Sequence, residues 1–543
     1  MIRLAAAALV AASLAVSAAD KPKRTPAAKP KAAAKARPAA KPIDVVEASI
    51  AELQKAMSSG KLTSKELTSL YIARIKAIDK AGPKINAVIE LNPDALAIAE
   101  ALDKERRESG ARGPLHGIPV LLKDNIATGD RMQTTAGSLA LAGVKAPRDA
   151  FLVTRLREAG AVILGKTNLS EWANIRSTRS TSGWSSRGGL TRNPYALDRD
   201  TSGSSSGSGA AIAASLATVA VGTETDGSIT SPSAVNGLVG IKPTLGLVSR
   251  SGIVPIAHSQ DTAGPMARSV ADAAALLTAM AGTDLRDEAT RDASPKAADY
   301  TKALDRNALK GARIGVVRGQ FGGRNDLVST EIERALKVME AQGAVLVEIP
   351  ELPNAGKYGN TELEVLLTEL KADMAVYLKE WAPEAAVKDL ADIIAFNDAH
   401  KDKVMPYFGQ EHFINAQKKG GLDSKEYLEA LANNHKLARA EGIDKVMNEN
   451  KLDALVAPTT GPAWLIDFIK GDASGGGFTT PAAVAGYPHI TVPAGFVQGL
   501  PCGISFVGQA WSESRLIALA YAYEQASRAR KPPTYAKTIN AWQ

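Results

Sequence analysis

Two serines in one glycine- and serine-rich stretch, residues 202–232 (SGSSSGSGAAIAASLATVAVGTETDGSITSP), are the first candidates for chemistry. If 206–216 is a helix and 218–222 a strand, each about 16 Å long, the chain runs out along the helix and returns along the strand. Ser204 and Ser228 then end close together, beside a tight turn whose backbone N–H groups can bind an oxyanion. These serines still need a base, and without a suitably placed histidine we expect a lysine or a carboxylate. The turn consists of Thr225, Asp226, Gly227 and Ser228.

Two other glycine-rich patterns match known motifs but lack the structural context that those motifs need. Gly160–Thr167 fits the phosphate-loop pattern GxxxxGK[ST], yet residues 161–164 are predicted to form a buried strand whose N–H groups are already used. Gly203–Gly207 fits the nucleophile-elbow pattern GxSxG, but a loop precedes it, and neither His258 nor His489 has a recognisable partner. We therefore expect neither a nucleotide site nor a Ser–His–Asp triad.

The elements that must position these residues alternate between helices and strands, and several strands are continuous apolar runs. This pattern predicts one large α/β domain over residues 43–543, with a largely covered sheet. Residues 355–450 are mostly helical by periodicity, and we predict that they form an insertion or cap. The other predicted strands are 86–91, 118–122, 161–165, 454–457, 489–492 and 503–507, and the other predicted helices are 47–58, 64–78, 92–107 (capped by Asn92), 149–159 and 513–528.

Several segments, in order along the chain, resemble the amidase signature family, whose members are serine hydrolases with a Ser–cis-Ser–Lys triad. Residues 202–208 (SGSSSGS) correspond to the family's GGSSGGS run, and Ser228 follows Ser204 at the family's spacing. The family's lysine lies on a GIPVxxKDN segment, which is present here as GIPVLLKDN with Lys123. The resemblance spans about residues 80–524 and is weakest in the helical stretch. Further matching segments are GKTNLSEW (165–172), GLVGIKPT (237–244), SQDTAGPM (259–266), 500–508 and 520–525.

The resemblance implies a single amidase domain, with a mixed central sheet covered by helices on both faces, and a catalytic triad. Ser228 is then the nucleophile, and the N–H groups of Thr225, Asp226, Gly227 and Ser228 hold the oxyanion. Ser204, after a cis peptide bond, relays the proton between Ser228 and Lys123. Lys123 must be neutral for this, a state that burial at the end of an apolar strand favours. No step in this scheme needs a cofactor.

Within the family, the segments GWSSRGG, TRNPYALDR and GTETDGSIT are most similar to bacterial peptide amidases and broad-specificity amidases. The chain departs from the family pattern at Ser202, Asp226 and Thr230. Asp226 places a carboxylate near the oxyanion turn and should disfavour anionic substrates. The resemblance thus predicts an amidase that cleaves a neutral carboxamide to carboxylate and ammonia through an acyl-enzyme, with C-terminal peptide amides as candidate substrates.

Two other functions remain open at this point. The first is a glutamine-dependent amidotransferase A-type subunit, which works in the cytosol with a partner and tRNA. The second is a non-catalytic periplasmic solute-binding protein, which needs no buried lysine. An exported chain with a neutral body disfavours the first, and the presence of all three triad positions disfavours the second.

The charge of the chain is concentrated in its first 42 residues. The sequence has 65 Lys and Arg against 57 Asp and Glu, a formal net charge of +8, but residues 1–42 hold nine of the basic residues and one acid. The rest of the chain is therefore balanced, with 56 of each sign. Because a nucleic-acid-binding fold needs a basic surface, we expect no nucleic-acid partner.

Cysteine and histidine are scarce, which disfavours a metal centre. The single Cys502 excludes an intramolecular disulfide and any cysteine-based zinc or iron–sulfur site. The six histidines include no HExxH motif and no close pair. We therefore expect no metal and no cofactor, with Cys502 in the core and His116 in a structural role.

The N-terminal residues are predicted to be a targeting signal and a spacer. Arg3 precedes an apolar run over 4–16, which is too short to cross a bilayer, and then the small residues 17–19. This pattern predicts a signal peptide over 1–19, cleaved after Ala19, and a periplasmic or secreted protein with no membrane segment after cleavage. Residues 20–42 are rich in Lys, Pro and Ala, and we predict a disordered linker there.

Overall fold

The computed structural model describes residues 44–321 and 326–539. The predicted signal peptide (1–19) and linker (20–42) lie outside the described residues. The strands are β1 (Val88–Leu91), β2 (Pro119–Lys123), β3 (Val162–Thr167), β4 (Trp184–Ser185), β5 (Gly189–Leu190), β6 (Val219–Glu224), β7 (Val239–Lys242), β8 (Thr262–Ala267), β9 (Arg313–Val317), β10 (Val345–Ile349), β11 (Ala454–Pro458), β12 (His489–Val497) and β13 (Leu500–Val507).

The α-helices of the described chain lie between these strands and, after β10, form a long helical stretch. No helix within residues 44–321 and 326–539 has the length and apolar character needed to cross a membrane. The helices are α1 (Ile50–Ser58), α2 (Ser64–Arg74), α3 (Ala95–Ser109), α4 (Phe151–Glu158), α5 (Ser206–Ala213), α6 (Thr230–Val235), α7 (Val270–Met280), α8 (Ala293–Lys296), α9 (Asp326–Ala341), α10 (Gly359–Trp381), α11 (Leu390–Ala399), α12 (Lys401–Val404), α13 (Glu411–Gln417), α14 (Lys425–Ala438), α15 (Asp444–Asn450), α16 (Thr480–Ala485) and α17 (Glu513–Ser527).

One mixed sheet organises the fold, in the order β1-β3-β2-β6-β8-β7-β12-β13-β11-β9-β10. The pairs β2–β3, β2–β6, β9–β11 and β9–β10 are parallel, and the remaining neighbours are antiparallel. Every residue of β2, β3, β6, β8, β11 and β13 is buried, because helices cover both faces of the sheet. The predicted fold class, an α/β domain with a mixed, covered sheet, is confirmed.

The predicted elements are present, but most of their ends differ from the structure by one to five residues. The predicted helix 92–107 runs over Ala95–Ser109 with Asp94 at its N-cap position; Asn92 lies two residues earlier, where its side chain accepts from the Asp94 N–H (2.9 Å) and donates to the Ile163 carbonyl (2.8 Å). The helix predicted over 206–216 ends at Ala213, and Ser215 takes a positive φ of 53° as the chain turns back. The following strand runs over Val219–Glu224, two residues beyond its predicted end.

The parallel pairing of β2 with β6 places the site. Leu122 pairs with Val221, so the carboxyl ends of both strands lie at the same edge of the sheet. Helix α5 runs away from this edge and β6 returns to it, which brings the residues before α5 next to those after β6. The Ser205 hydroxyl accordingly contacts the Thr223 backbone, donating to its carbonyl at 3.0 Å.

Candidate active site

Lys123 is the last residue of β2, and its side chain is completely buried. Its ammonium group donates to the Ser204 hydroxyl (2.7 Å), to the Thr223 hydroxyl (2.8 Å) and to the Thr223 carbonyl (3.2 Å). Burial lowers the pKa of Lys123 to about 7, although the nearby carboxylates of Asp261 and Glu224 act in the opposite direction. A substantial fraction of this lysine is therefore neutral near neutral pH, as a general base requires.

Ser204 follows a cis peptide bond from Gly203 and is also completely buried. Its carbonyl accepts from the Ser170 N–H at 3.2 Å, while its hydroxyl accepts from Lys123. Gly203 has no room for a side chain, because a Cβ atom there would lie 2.9 Å from the Ser182 hydroxyl oxygen and would collide with the Ser170 hydroxyl. The two segments that hold Ser170 and Ser182 thus fix the position of the serine that Lys123 contacts.

Ser228 lies in the turn between β6 and α6, and it retains 8% exposure where Lys123 and Ser204 have none. Its carbonyl accepts from the Ser205 N–H at 3.1 Å, which joins the turn 225–228 (called the nucleophile turn, after the role predicted for Ser228) to the segment of Ser204. The Ser228 hydroxyl has no hydrogen-bond partner in the part of the chain that the structure describes. A nucleophilic hydroxyl must be accessible to the carbonyl carbon of a substrate and free of competing hydrogen bonds, and the Ser228 hydroxyl meets both conditions.

The turn that ends at Ser228 leaves its backbone donors free. Within residues 44–321 and 326–539, none of the N–H groups of residues 225–228 donates a hydrogen bond to the protein. Gly227 has a φ of 77°, and a Cβ atom there would lie 3.1 Å from the Thr479 hydroxyl oxygen. Both its left-handed conformation and this close contact favour glycine, so the geometry of the donors depends on it.

Four residues that support this centre were not predicted from the sequence: Thr223, Asn125, Asp261 and Glu224. Thr223 bridges Lys123 to the amide of Asn125, which donates to the Thr223 hydroxyl at 3.0 Å. Asp261 accepts from the Thr225 hydroxyl at 2.5 Å and so holds the start of the nucleophile turn. All four lie in segments whose similarity to the family was noted, but only the fold shows their contacts. The fourth is Glu224, the last residue of β6.

Glu224 anchors the chain immediately after Ser228. One of its carboxylate oxygens accepts from the N–H groups of Ile229 (2.8 Å) and Thr230 (2.9 Å) and from the Thr230 hydroxyl (3.1 Å). Burial raises the pKa of Glu224, and the buried ammonium of Lys242 opposes that effect. Because three donors converge on one oxygen, the position of Ser228 depends on this carboxylate.

We expect Glu224→Gln to lower kcat for amide hydrolysis about tenfold with little change in KM, because the weakened anchor misplaces Ser228. The measurement is ammonia release at saturating and limiting amide, with thermal melts of both proteins. Glu513→Gln is the matched control, since Glu513 is also buried and accepts a backbone N–H, that of Thr244 at 2.7 Å. If both variants lost activity in proportion to stability, Glu224 would have no specific effect on the nucleophile.

Asp226 lies at the back of the nucleophile turn and accepts from the Thr480 hydroxyl at 2.6 Å. Burial raises the pKa of Asp226. Burial and the carboxylate of Asp226 together raise the pKa of Glu362, on α10, to about 8. The Glu362 carboxyl also accepts from Gln260 at 3.0 Å. The helical stretch after β10 therefore contributes an acidic residue, Glu362, close to the nucleophile turn.

The motifs set aside in the sequence have structural roles. Lys166, of the GxxxxGK[ST] pattern, is buried in β3 and donates to the Ile126 carbonyl (2.6 Å) and the Thr134 hydroxyl (3.0 Å). Cys502 is buried in β13, where burial raises the pKa of its thiol to about 12. The buried His116 ring lies 2.9 Å from the Leu102 carbonyl.

One cluster in the described chain has the spacing of a metal site. Potential ligand atoms of His258, Glu369 and Asp373 all lie within 4.8 Å of one another. They already engage each other and the protein: His258 Nδ1 lies 2.8 Å from Asp373, and Glu369 accepts from the Tyr427 hydroxyl (2.8 Å) and the Ser259 N–H (2.9 Å). These bonds tie the segment before β8 to α10.

The site lies at one edge of the mixed sheet and combines a buried lysine, the serine that this lysine contacts, and a second serine in an adjoining turn. A profile of the Amidase family matches residues 66–517, and the chain belongs to this family of amide-hydrolysing enzymes. A solved structure of the native peptide amidase from Stenotrophomonas maltophilia is 52% identical, with a TM-score of 0.87, and covers 91% of this chain and 100% of its own.

Curated relatives agree with this assignment. A protein described as a probable amidase of Arabidopsis thaliana is 44% identical over 502 residues, covering 90% of this chain and 92% of the relative. The A-type subunit of the glutamyl-tRNA(Gln) amidotransferase of Halorhodospira halophila is 36% identical over 489 residues, covering 89% of this chain and 97% of the relative. The family membership sets aside the non-catalytic solute-binding alternative.

Proposed function

We propose that this enzyme hydrolyses neutral carboxamides to carboxylate and ammonia through an acyl-enzyme on Ser228, with C-terminal peptide amides as the substrate class. The observation that carries the proposal is the buried Lys123 ammonium at 2.7 Å from the Ser204 hydroxyl, with its pKa lowered to about 7 by burial. A lysine in this state accepts a proton at neutral pH, and its contact with a second serine provides the path for that proton.

In the proposed reaction, the Ser228 oxygen attacks the amide carbonyl while its proton passes to the Ser204 oxygen and the proton of Ser204 passes to Lys123. The N–H groups of residues 225–228 stabilise the tetrahedral oxyanion. The lysine proton returns through Ser204 to the amide nitrogen, the C–N bond breaks, and ammonia leaves. Water then attacks the acyl ester by the same route and releases the carboxylate.

The substrate class has two supports. The S. maltophilia structure, at 52% identity, is that of a peptide amidase. Asp226 of the nucleophile turn carries a carboxyl that, when ionised, disfavours a carboxylate next to the scissile bond, which favours neutral amides. The H. halophila relative belongs to an amidotransferase for glutamyl-tRNA(Gln), and free glutamine is therefore the discriminating alternative substrate.

The test is ammonia release from peptide amides, short aliphatic amides, an aryl amide and free glutamine between pH 6 and 10. We expect turnover of peptide amides and, with hydroxylamine present, a peptide hydroxamate formed at the expense of the carboxylate, because hydroxylamine intercepts an acyl-enzyme. Preference for glutamine would move the proposal to the amidotransferase reaction. Turnover without any hydroxamate would argue against the acyl-enzyme.

We also propose that residues 1–19 direct export and that the mature enzyme works in the periplasm or outside the cell. The support is the sequence of that segment: a basic start, an apolar run and small residues before Asp20. Mass spectrometry of the enzyme from fractionated cells should show an N-terminus at Asp20. An intact Met1 on cytosolic enzyme would contradict this proposal.

A further inference from the structure

A long loop, residues 460–478, connects β11 to the segment before α16, and its base lies beside the nucleophile turn. The loop closes on itself where the Phe478 N–H donates to the Thr459 carbonyl (3.1 Å) and the Thr460 hydroxyl donates to the Gly476 carbonyl (3.1 Å). Thr480, just beyond it, contacts Asp226 of the turn at 2.6 Å. The 460–478 loop thus begins and ends next to the residues that precede Ser228.

The middle of the 460–478 loop lies against the segment that positions Ser204. Asp472 accepts from the Ser182 N–H (2.9 Å) and from the Ser182 hydroxyl (2.5 Å). Ser182 in turn packs on Gly203, where a Cβ atom would come within 2.9 Å of its hydroxyl oxygen. The loop therefore extends from the nucleophile turn to the cis peptide, along one side of the catalytic centre.

The outer part of the loop contributes to a cluster of four rings, the aromatic rim, formed by Trp184, Tyr407, Phe408 and Phe468. Phe468 stacks on Tyr407 with ring centroids 3.9 Å apart and an interplanar angle of 17°. Tyr407 and Phe408 both meet the Trp184 ring edge to face, at 5.5 and 5.3 Å. Trp184 follows Ser182 closely in the chain, so the rim adjoins the segment that fixes the cis peptide.

Two rings of the aromatic rim are buried and the other two reach the surface. Trp184 and Phe408 are buried, whereas Tyr407 is 45% exposed and Phe468 is partly exposed. The buried Arg176 lies 4.4 Å from the Phe408 ring and donates to the Val404 carbonyl at 2.7 Å, which fixes the segment before the rim. Two preoriented rings next to an amide-cleaving centre form a surface for an apolar group at low entropic cost.

We infer that Phe468 and Tyr407 determine acyl specificity, by packing against the apolar side chain of the residue that carries the scissile carboxamide. The inference rests on the proposed function. The physical basis of the inference is that the aromatic rim adjoins the segment that holds the cis peptide. In addition, the ring faces that the rim exposes consist of aromatic carbon. An amide with an aromatic or branched side chain buries that side chain on the rings, whereas a glycine amide has nothing to bury.

The experiment compares kcat/KM for N-acetyl amides of phenylalanine, leucine and glycine. We expect Phe468→Ala to lower the values for the phenylalanine and leucine amides about tenfold and the glycine value less than twofold. Tyr407→Ala should give the same pattern from the other side of the stack, and Phe468→Tyr should restore selectivity. Ile469→Ala is the matched control, because Ile469 is the next residue and is 88% exposed.

Equal losses on all three amides would show that the stack only holds the loop in place, and no loss on any amide would show that the rim lies outside the substrate path. Either result overturns the inference. Both leave the proposed function standing, because its tests use the unmodified enzyme: ammonia release, hydroxamate formation and the comparison with free glutamine. Thermal melts of each variant identify losses that come from unfolding.

Discussion

Replacing Ser228 with alanine is expected to lower kcat for ammonia release by about 10⁴-fold or more, because the variant can form no acyl-enzyme. The residual rate would come from the N–H donors of residues 225–228 and from substrate binding, which persist without the hydroxyl. KM should change little, since the hydroxyl makes no hydrogen bond in the described chain that its loss would break.

The measurement is single-substrate kinetics on a peptide amide, together with hydroxamate formation in hydroxylamine. Ser231→Ala is the matched control: Ser231 lies in the first turn of α6, and its N–H donates to the Gly227 carbonyl at 2.8 Å, a backbone bond that alanine keeps. We expect this control to retain activity within a few fold. Full activity of Ser228→Ala on every amide would remove Ser228 from the mechanism.

The second large effect is expected for Lys123→Met, which should reduce kcat by about 10³-fold or more at pH 8. Methionine fills the buried volume but cannot accept the proton that Ser204 delivers. For the unmodified enzyme, kcat/KM should rise as the pH passes about 7 and then level off, because the neutral lysine is the active form and burial lowers its pKa to about 7. A rise delayed to pH 10 would show an ordinary lysine instead.

Lys166→Met is the matched control for Lys123→Met, because it also removes a buried lysine but one that contacts no serine. Lys166 is a second fully buried lysine, on the neighbouring strand β3, and its ammonium donates to Ile126 and Thr134 rather than to a serine. We expect this variant to lose stability, because it leaves two buried acceptors unpaired, while keeping most of its kcat. A loss of activity as large as that of Lys123→Met would show that any buried lysine in this sheet is needed.

The stability of the enzyme should also reveal the state of Lys123. Its folded pKa of about 7 lies below the value near 10.4 of an unfolded lysine, so the unfolded chain binds more protons between those two pH values. The cost of burying the charged lysine is fully present below pH 7 and falls as the pH rises through this window. The Tm of the unmodified enzyme relative to Lys123→Met should therefore increase from pH 7 to pH 10.

Much of the site could be predicted from local patterns. The glycine- and serine-rich stretch before an apolar helix, and the return strand after it, were enough to predict that Ser204 and Ser228 lie near each other. The apolar run before Lys123 was enough to predict its burial. These predictions hold because hydrophobic periodicity and steric preference are properties of short segments. Such local properties determine where the chain reverses direction and which side chains are buried.

Residues that support the site could not be predicted, because their partners are distant in the chain. Thr223 receives Lys123 only because β2 and β6 are parallel neighbours in the sheet. Asp472 meets Ser182 across 290 residues. Glu224 was not predicted because the strand was expected to end two residues earlier, and nothing local indicates that its carboxylate accepts three bonds from the start of α6.

The sequence by itself determined the class of fold, the closeness of the two serine segments, the burial of Lys123 and the family, since these depend on residue type, short-range pattern and the order of motifs. The tertiary structure alone decided which groups complete the centre and what surrounds it: the anchor at Glu224, the free donors of the nucleophile turn, and the aromatic rim that joins the 460–478 loop to Tyr407. The reason is physical. Strand order and loop packing bring together residues whose contacts have no signature in any local stretch of the chain.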